Sequence, residues 1–237
     1  MAQALGVRLL DASERELRGG GAALLDLARI DSTGLDPRLR ALTCSAASDV
    51  DNPLTGPFGA SAVYGPQKGA SVEDVLLLDR ALAHLSVIVH RDMGVDLSHE
   101  PGAGAAGGLG FGLMAFLGAR VRPGVDVVSD ALGLPERMEA ADLVITGEGK
   151  FDAQSLRGKT PAGVFRLARE RSVPVVLVCG DAEVGLALPG VRVVSMVDRF
   201  GRDEALADAR RSLERVAEEL AGRATELVSK TTQVVEP

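Results

Sequence analysis

Residues 141–180 read ADLVITGEGKFDAQSLRGKTPAGVFRLARERSVPVVLVCG. An apolar run, DLVIT, leads into a stretch dense in glycine and charge. A segment of helical composition follows, and then a second apolar run, VPVVLVCG. A third run, VRVVSMVD, begins at residue 191. Runs that stay apolar without alternating mark strands covered on both faces, so strands are expected at 143–146, 175–179 and 191–196. Leu206, Ala209, Leu213, Val216, Leu220 and Leu227 then recur as the apolar face of a last helix. Strand, helix, strand, strand, helix predicts an α/β fold with a mainly parallel, Rossmann-like sheet in the C-terminal half.

Working toward the N-terminus, a polar helix is expected from after Val128 to about Ala140. The stretch from residue 72 is a clear helix. Ser71 and Asp74 stand three apart, as in a capping box, and Val72, Val75, Leu78, Leu82, Leu85 and Val89 share one face. GVRLLDA reads as a short strand, GGGAALLDLARI as a turn into a helix, and RALTCSAASDV as extended chain. The expected parts are residues 1–140, carrying a cleft, and residues 141–237, carrying the parallel sheet.

Composition narrows the function. Hydrophobic residues make up 46% of the 237, enough for a real core, but aromatics only 3%, with no Trp and Tyr64 as the one tyrosine. A net charge of −7 argues against a basic, aromatic nucleic-acid surface and leaves room for a local basic pocket for a small anion. The two cysteines, Cys44 and Cys179, lack metal-type spacing and read as buried thiols of a reducing compartment. No basic, apolar leader and no run of about 18 apolar residues is present. The expectation is a cytoplasmic protein without a membrane span. His84, His90 and His99 form no ligand spacing.

Four stretches carry candidate chemistry. Residues 146–161, TGEGKFDAQSLRGKTP, follow the strand DLVIT at its carboxyl end, where open parallel sheets bind ligands. They bring Gly147, Glu148, Gly149, Lys150, Asp152, Arg157 and Lys159 to one loop; a solvated loop with surface ion pairs is the plainer reading. The RGKT within it does not complete a Walker A loop, because Ala153 stands where that motif needs glycine. Residues 102–107, GAGAAG, match G-x-G-x-x-G, but no convincing strand precedes them. Gly102 and Gly104 then allow close packing against another backbone, or open a helix N-terminus to an anion. In DVDN, Asp49 and Asp51 fall on one side of an extended chain, suited to sharing Mg²⁺ or dividing metal and base roles; alternatively Asp51 and Asn52 simply start a turn. Lys68, just before the long helix, can meet a phosphate as a point charge.

DVDNPLTGPFGASAVYGPQKGAS, PGAGAAGGLGFGL and ADLVITGEGKFDAQSLRGKTPAGV, in that order, resemble the bacterial glycerate kinase family of the glyoxylate and glucarate pathway type. The resemblance runs nearly the whole chain. It implies two α/β domains with the active site between them, and transfer of phosphate from ATP, with Mg²⁺, to D-glycerate, commonly giving 2-phosphoglycerate. Family members are longer and begin with a region carrying Asp-Ser-Phe-Lys and a later glycine-rich loop, neither of which occurs here, so the chain is expected to match the C-terminal part. The resemblance implies that Asp51 or Asp49 serves the hydroxyl or the metal. Lys68 and the GEGKFD stretch, with Asn52 and the glycines, would hold phosphates or the glycerate carboxylate. A homodimer is among the expectations. The alternative is a non-catalytic ligand- or partner-binding remnant of such a kinase.

Overall fold

The structure, a computed structural model, describes residues 1–153, 155 and 160–231. It is an α/β fold with parallel sheets, and the chain divides into two units, Met1–Pro123 and Gly124–Pro237.

In the first unit, β1 (Arg8–Leu10) and β2 (Arg29–Asp31) pair antiparallel. Between them GGGAALLDLARI forms a short 3₁₀ turn, Gly21–Asp26, where an α-helix was expected. The chain must leave the turn at Leu27 to reach β2, and tight i→i+3 winding suits so short a piece. Next come β3 (Ser45–Ala47), α1 (Ala60–Tyr64), α2 (Val72–Met93), α3 (Ala105–Leu117) and β4 (Arg120–Arg122). β4 pairs parallel with β3, Ser45 opposite Arg120, and the helices supply the long crossover that a parallel pair requires.

α2 begins as its sequence predicts. The Ser71 hydroxyl accepts from Asp74 N at 3.1 Å, and the Asp74 carboxylate accepts from Ser71 N at 3.0 Å. It ends at Gly94, whose φ of 74° lets its N–H turn back to His90 O. Ala81, Leu85, Ile88 and Val89 are buried, and the last three pack with Leu54, Ala103 and Phe111. Val72 is 73% exposed, so the first turn supplies the cap and not the core.

The second unit opens with α4 (Gly124–Ala131) and α5 (Leu134–Glu139), two helices where one was expected. Gly133, at φ 62°, breaks them. β5 (Val144–Phe151), α6 (Thr160–Glu170), β6 (Val175–Ala182) and β7 (Val191–Ser195) follow. The sheet order is β5-β6-β7, all parallel, with Val144 opposite Val175 and Val175 opposite Val191. The three expected strands are therefore present and parallel. The final segment comprises α7 (Met196–Phe200), α8 (Arg202–Ala207), α9 (Ala209–Gly222) and α10 (Ala224–Thr231). The single amphipathic helix expected here is interrupted because the Asp208 carboxylate accepts Arg211 N at 3.0 Å and starts a new helix. Ser195 caps α7 in the same way, which ends β7 one residue before the expected Met196.

β6 explains the apolar runs. Val175, Leu177 and Cys179 pack on one layer with Val164, Phe165 and Ala168 of α6. Val176 and Val178 pack on the other with Val216, Leu220 and Leu227. α4 and α5 belong with this unit. Val125 lies so close to Gly163 that a Cβ there would stand 2.4 Å from it, and Asp126 pairs with Arg166. The division thus falls before residue 124, whereas residues 1–140 were expected to form the first part.

Candidate functional site

In the first unit the chain leaves β3 and enters DVDN. Ser48 N extends the ladder once more by donating to Arg122 O at 2.9 Å, and then the chain bends at Asp49. The Ser48 hydroxyl bonds Val50 at both N and O, 3.3 Å each, which supports the bend. The two-residue period that put Asp49 and Asp51 on one side of a strand therefore stops at Ala47. Both aspartates are exposed.

Asn52 is the anchor of this region. Its amide nitrogen donates to Phe58 O at 2.8 Å, its amide oxygen accepts from the Tyr64 hydroxyl at 2.6 Å, and its main-chain oxygen accepts from Gly104 N at 2.9 Å. Three segments thus meet at one residue. The loop between is closed by Leu54 N to Ser98 O at 2.9 Å and by Gly56 N to the Asp79 carboxylate at 3.0 Å.

The glycine-rich stretch docks against this anchor. A Cβ on Gly104 would stand 2.3 Å from Pro53 O, and one on Gly102 would stand 2.7 Å from Val121 and 3.4 Å from Val50 O. Close backbone packing is therefore what these two glycines provide. No strand precedes them, as a dinucleotide fingerprint would need. Ala106, Gly107 and Gly108 all have positive φ, at 50°, 75° and 95°, so the run is a left-handed turn merged into α3. Left-handed backbone strains a residue with a side chain, and Ala106 holds it here.

Lys68 closes a short 3₁₀ turn, Pro66–Lys68, at the end of α1 and is exposed. It lines a cavity of about 440 Å³ with Ser61, Tyr64, Asp74 and Gly107.

In the second unit the expected loop at Gly147, Glu148, Gly149 and Lys150 is instead the second half of β5. Glu148 lies opposite Cys179 and Lys150 opposite Asp181. Glu148 Oε2 accepts from the Ser155 hydroxyl at 2.9 Å, whereas Oε1 is buried without a hydrogen-bond partner. Ser155, 2% exposed, also interacts with Lys150 O and Asp152 N. Burial, and next the negative charge of Glu148, push the Cys179 thiol up to about 11. Lys150 is exposed and Asp152 half-buried. Arg157 and Lys159 lie outside the described residues.

Sequence reasoning did not single out Ser61, Asp79 or Ser155 and gave Tyr64 no role. Asp79 had a signal, a carboxylate between Val75 and Leu82 on an otherwise apolar face. Ser155 had a weaker one, a serine three residues after Asp152. His84 is structural, its Nε2 lying 2.7 Å from Leu27 O. Among the described residues, no three His, Cys, Asp or Glu are grouped to hold a metal. No helix among the described residues is long and apolar enough to cross a membrane.

The model of the glycerate kinase family matches residues 1–225. The chain belongs to the glycerate kinase family. It is 48% identical over 185 residues to a glycerate kinase of Halalkalibacterium halodurans, covering 78% of this chain and 49% of that protein. It is 47% identical over 181 residues to the glycerate 2-kinase of Escherichia coli K12, covering 76% and 48%. The crystal structure of a protein assigned as glycerate kinase 2 from Salmonella typhimurium LT2 superposes with a TM-score of 0.78 at 42% identity, over 95% of this chain and 61% of that one. The chain thus spans about half the length of the curated relatives it matches. In this family member the two stretches that carried the resemblance in the first unit, DVDN and GAGAAG, are in contact with one another.

Proposed function

We propose that this chain carries the glycerate-phosphorylating site of such a kinase, taking phosphate from ATP with Mg²⁺ and forming 2-phosphoglycerate. The observation that supports this best is the convergence on Asn52. The residues beside the two exposed aspartates are held rigidly by Tyr64, Phe58 and Gly104, while the carboxylates themselves remain accessible. Positioning of that kind is most of what a phosphoryl-transfer site must supply.

In this reading Asp51 accepts the proton of the attacking hydroxyl, and Asp49 with Asp51 offers carboxylate oxygens to Mg²⁺. The donor set suits that ion. Mg²⁺ takes one or two carboxylates and completes its shell with water and substrate phosphate, so no third protein ligand is required. The ion would offset negative charge on the transferring group. Lys68 adds a positive charge that needs no bidentate geometry. In the second unit Glu148 Oε1 is an acceptor already stripped of water, fit for a hydroxyl of a bound ligand. Lys150 and Asp152 flank it, and Lys159 follows in sequence.

The test is ADP formation from MgATP on addition of D-glycerate, with the product separated from 3-phosphoglycerate, alongside calorimetric binding of D-glycerate. Asp51→Asn should lower turnover about a hundredfold, the scale of losing a general base, with an unchanged thermal melt. A folded chain that neither binds D-glycerate nor forms ADP refutes the reading.

A further inference from the structure

The cavity beside Lys68 has a chemistry of its own. Its volume is about 440 Å³, ample for a three-carbon acid. Most of its wall is apolar or glycine, with Leu77, Leu78 and Leu82 on the α2 side. Four polar side chains line it, and two of them are already engaged. The Tyr64 hydroxyl donates to Asn52, and the Asp74 carboxylate is tied to Ser71 at the cap of α2. The other two are not. Ser61 is only 6% exposed, yet its hydroxyl has no hydrogen-bond partner among the described residues. Lys68 makes no ion pair among them. The Ser61 hydroxyl is not cut off from solvent as Glu148 Oε1 is, so it lines the cavity with its hydrogen-bonding capacity free for a ligand there.

We propose that Ser61 and Lys68 form a subsite for a small oxyanion, with Tyr64 as its wall. The inference rests on the kinase reading and deepens it. The oxyanion is either the carboxylate of the acceptor or a phosphoryl group of the donor. Lys68 supplies the charge and Ser61 Oγ donates a hydrogen bond, beside the apolar leucine wall. Tyr64 links the subsite to the reacting end, because the Asn52 that its hydroxyl holds is the neighbour of Asp51. The ligand would then be gripped at one end, with its hydroxyl directed to the aspartate segment.

The composition provides the probe. The chain has no Trp and one Tyr, so its intrinsic emission near 305 nm reports on Tyr64 alone. The full chain is titrated with D-glycerate, inorganic phosphate and ADP, each followed by tyrosine emission and by calorimetry. A saturable change in emission is expected with at least one of them. Ser61→Ala and Lys68→Ala should each weaken that binding about tenfold or more, the scale of one hydrogen bond to a charged group. Lys68→Arg should recover part of the loss, and the thermal melts should match the parent. A response to D-glycerate alone assigns the carboxylate; a response to phosphate and ADP alone assigns the phosphoryl group. Calorimetric binding of D-glycerate with unchanged emission, and with both alanine variants binding as the parent does, overturns the subsite and leaves the kinase reading standing. Absence of binding by any probe to the folded chain overturns both.

Discussion

Gly104 offers the sharpest test of how the candidate site is held. Its φ of −78° and ψ of −8° suit any residue, so Gly104→Ala strains no backbone and should gain a few tenths of a kcal/mol by stiffening the unfolded chain. Space argues the other way. The new methyl would stand 2.3 Å from Pro53 O and 3.2 Å from both Ala60 N and Asn52 O. An ordinary carbon–oxygen contact is about 3.3 Å, so one backbone must retreat by about 1 Å. Overpacking of that order costs about 1–3 kcal/mol. The Gly104 N–H to Asn52 O bond would stretch with it, adding about 1 kcal/mol. The net expectation is about 2–3 kcal/mol, or about 5–10 °C in Tm for a chain of this length. Gly107→Ala is the matched control. Its φ is 75° with nothing within 4 Å, so the cost is conformational alone, about 1 kcal/mol. Urea unfolding followed by circular dichroism at 222 nm would measure both. Because the retreat moves the segment that carries Asp51, Gly104→Ala should also lose more D-glycerate binding or turnover than Gly107→Ala. Equal stabilities for the two variants, or a Gly104→Ala protein as stable as the parent, would refute the close-packing account.

Three further outcomes are expected. The Arg91 guanidinium beside Asp92, together with the Ile30 N–H, holds this carboxyl below the usual carboxylate range against the opposing effect of burial. Its folded value is depressed, so its stabilisation is present above about pH 4 and is lost as the pH falls through the folded value; Asp92→Asn should flatten the acid limb of a stability–pH curve, and parallel curves would contradict this. With the Cys179 thiol pushed up to about 11, a thiol reagent at pH 8 should modify half-buried Cys44 promptly and Cys179 far more slowly; mass spectrometry showing both modified at one rate would count against it. Glu148→Gln removes the second cause of that upward push, so Cys179 should label faster at pH 9 while burial still keeps it slower than Cys44; an unchanged rate would place the Glu148 charge elsewhere.

What was legible in the sequence was local or periodic. The capping box of α2 needs only residues three apart. The run VPVVLVCG announces its own burial because β6 meets helices on both faces. Its neighbour GEGKF was misread for an instructive reason. Glycine and charge together resemble a loop, but here the glycines permit close approach of paired strands: a Cβ on Gly180 would stand 2.5 Å from Gly149 O, and one on Gly147 would stand 3.0 Å from Val178 O. That requirement belongs to the pairing of β5 with β6 and is invisible within either strand. The same limit applies at Asn52. Its partners Phe58, Tyr64 and Gly104 lie progressively further along the chain, and no spacing rule joins them. Resemblance located both stretches, DVDN and GAGAAG, whereas only the contact between them shows why they occur together: the glycine stretch makes room for the backbone that presents the aspartates. A substitution in one should therefore be felt at the other, as Gly104→Ala is designed to reveal.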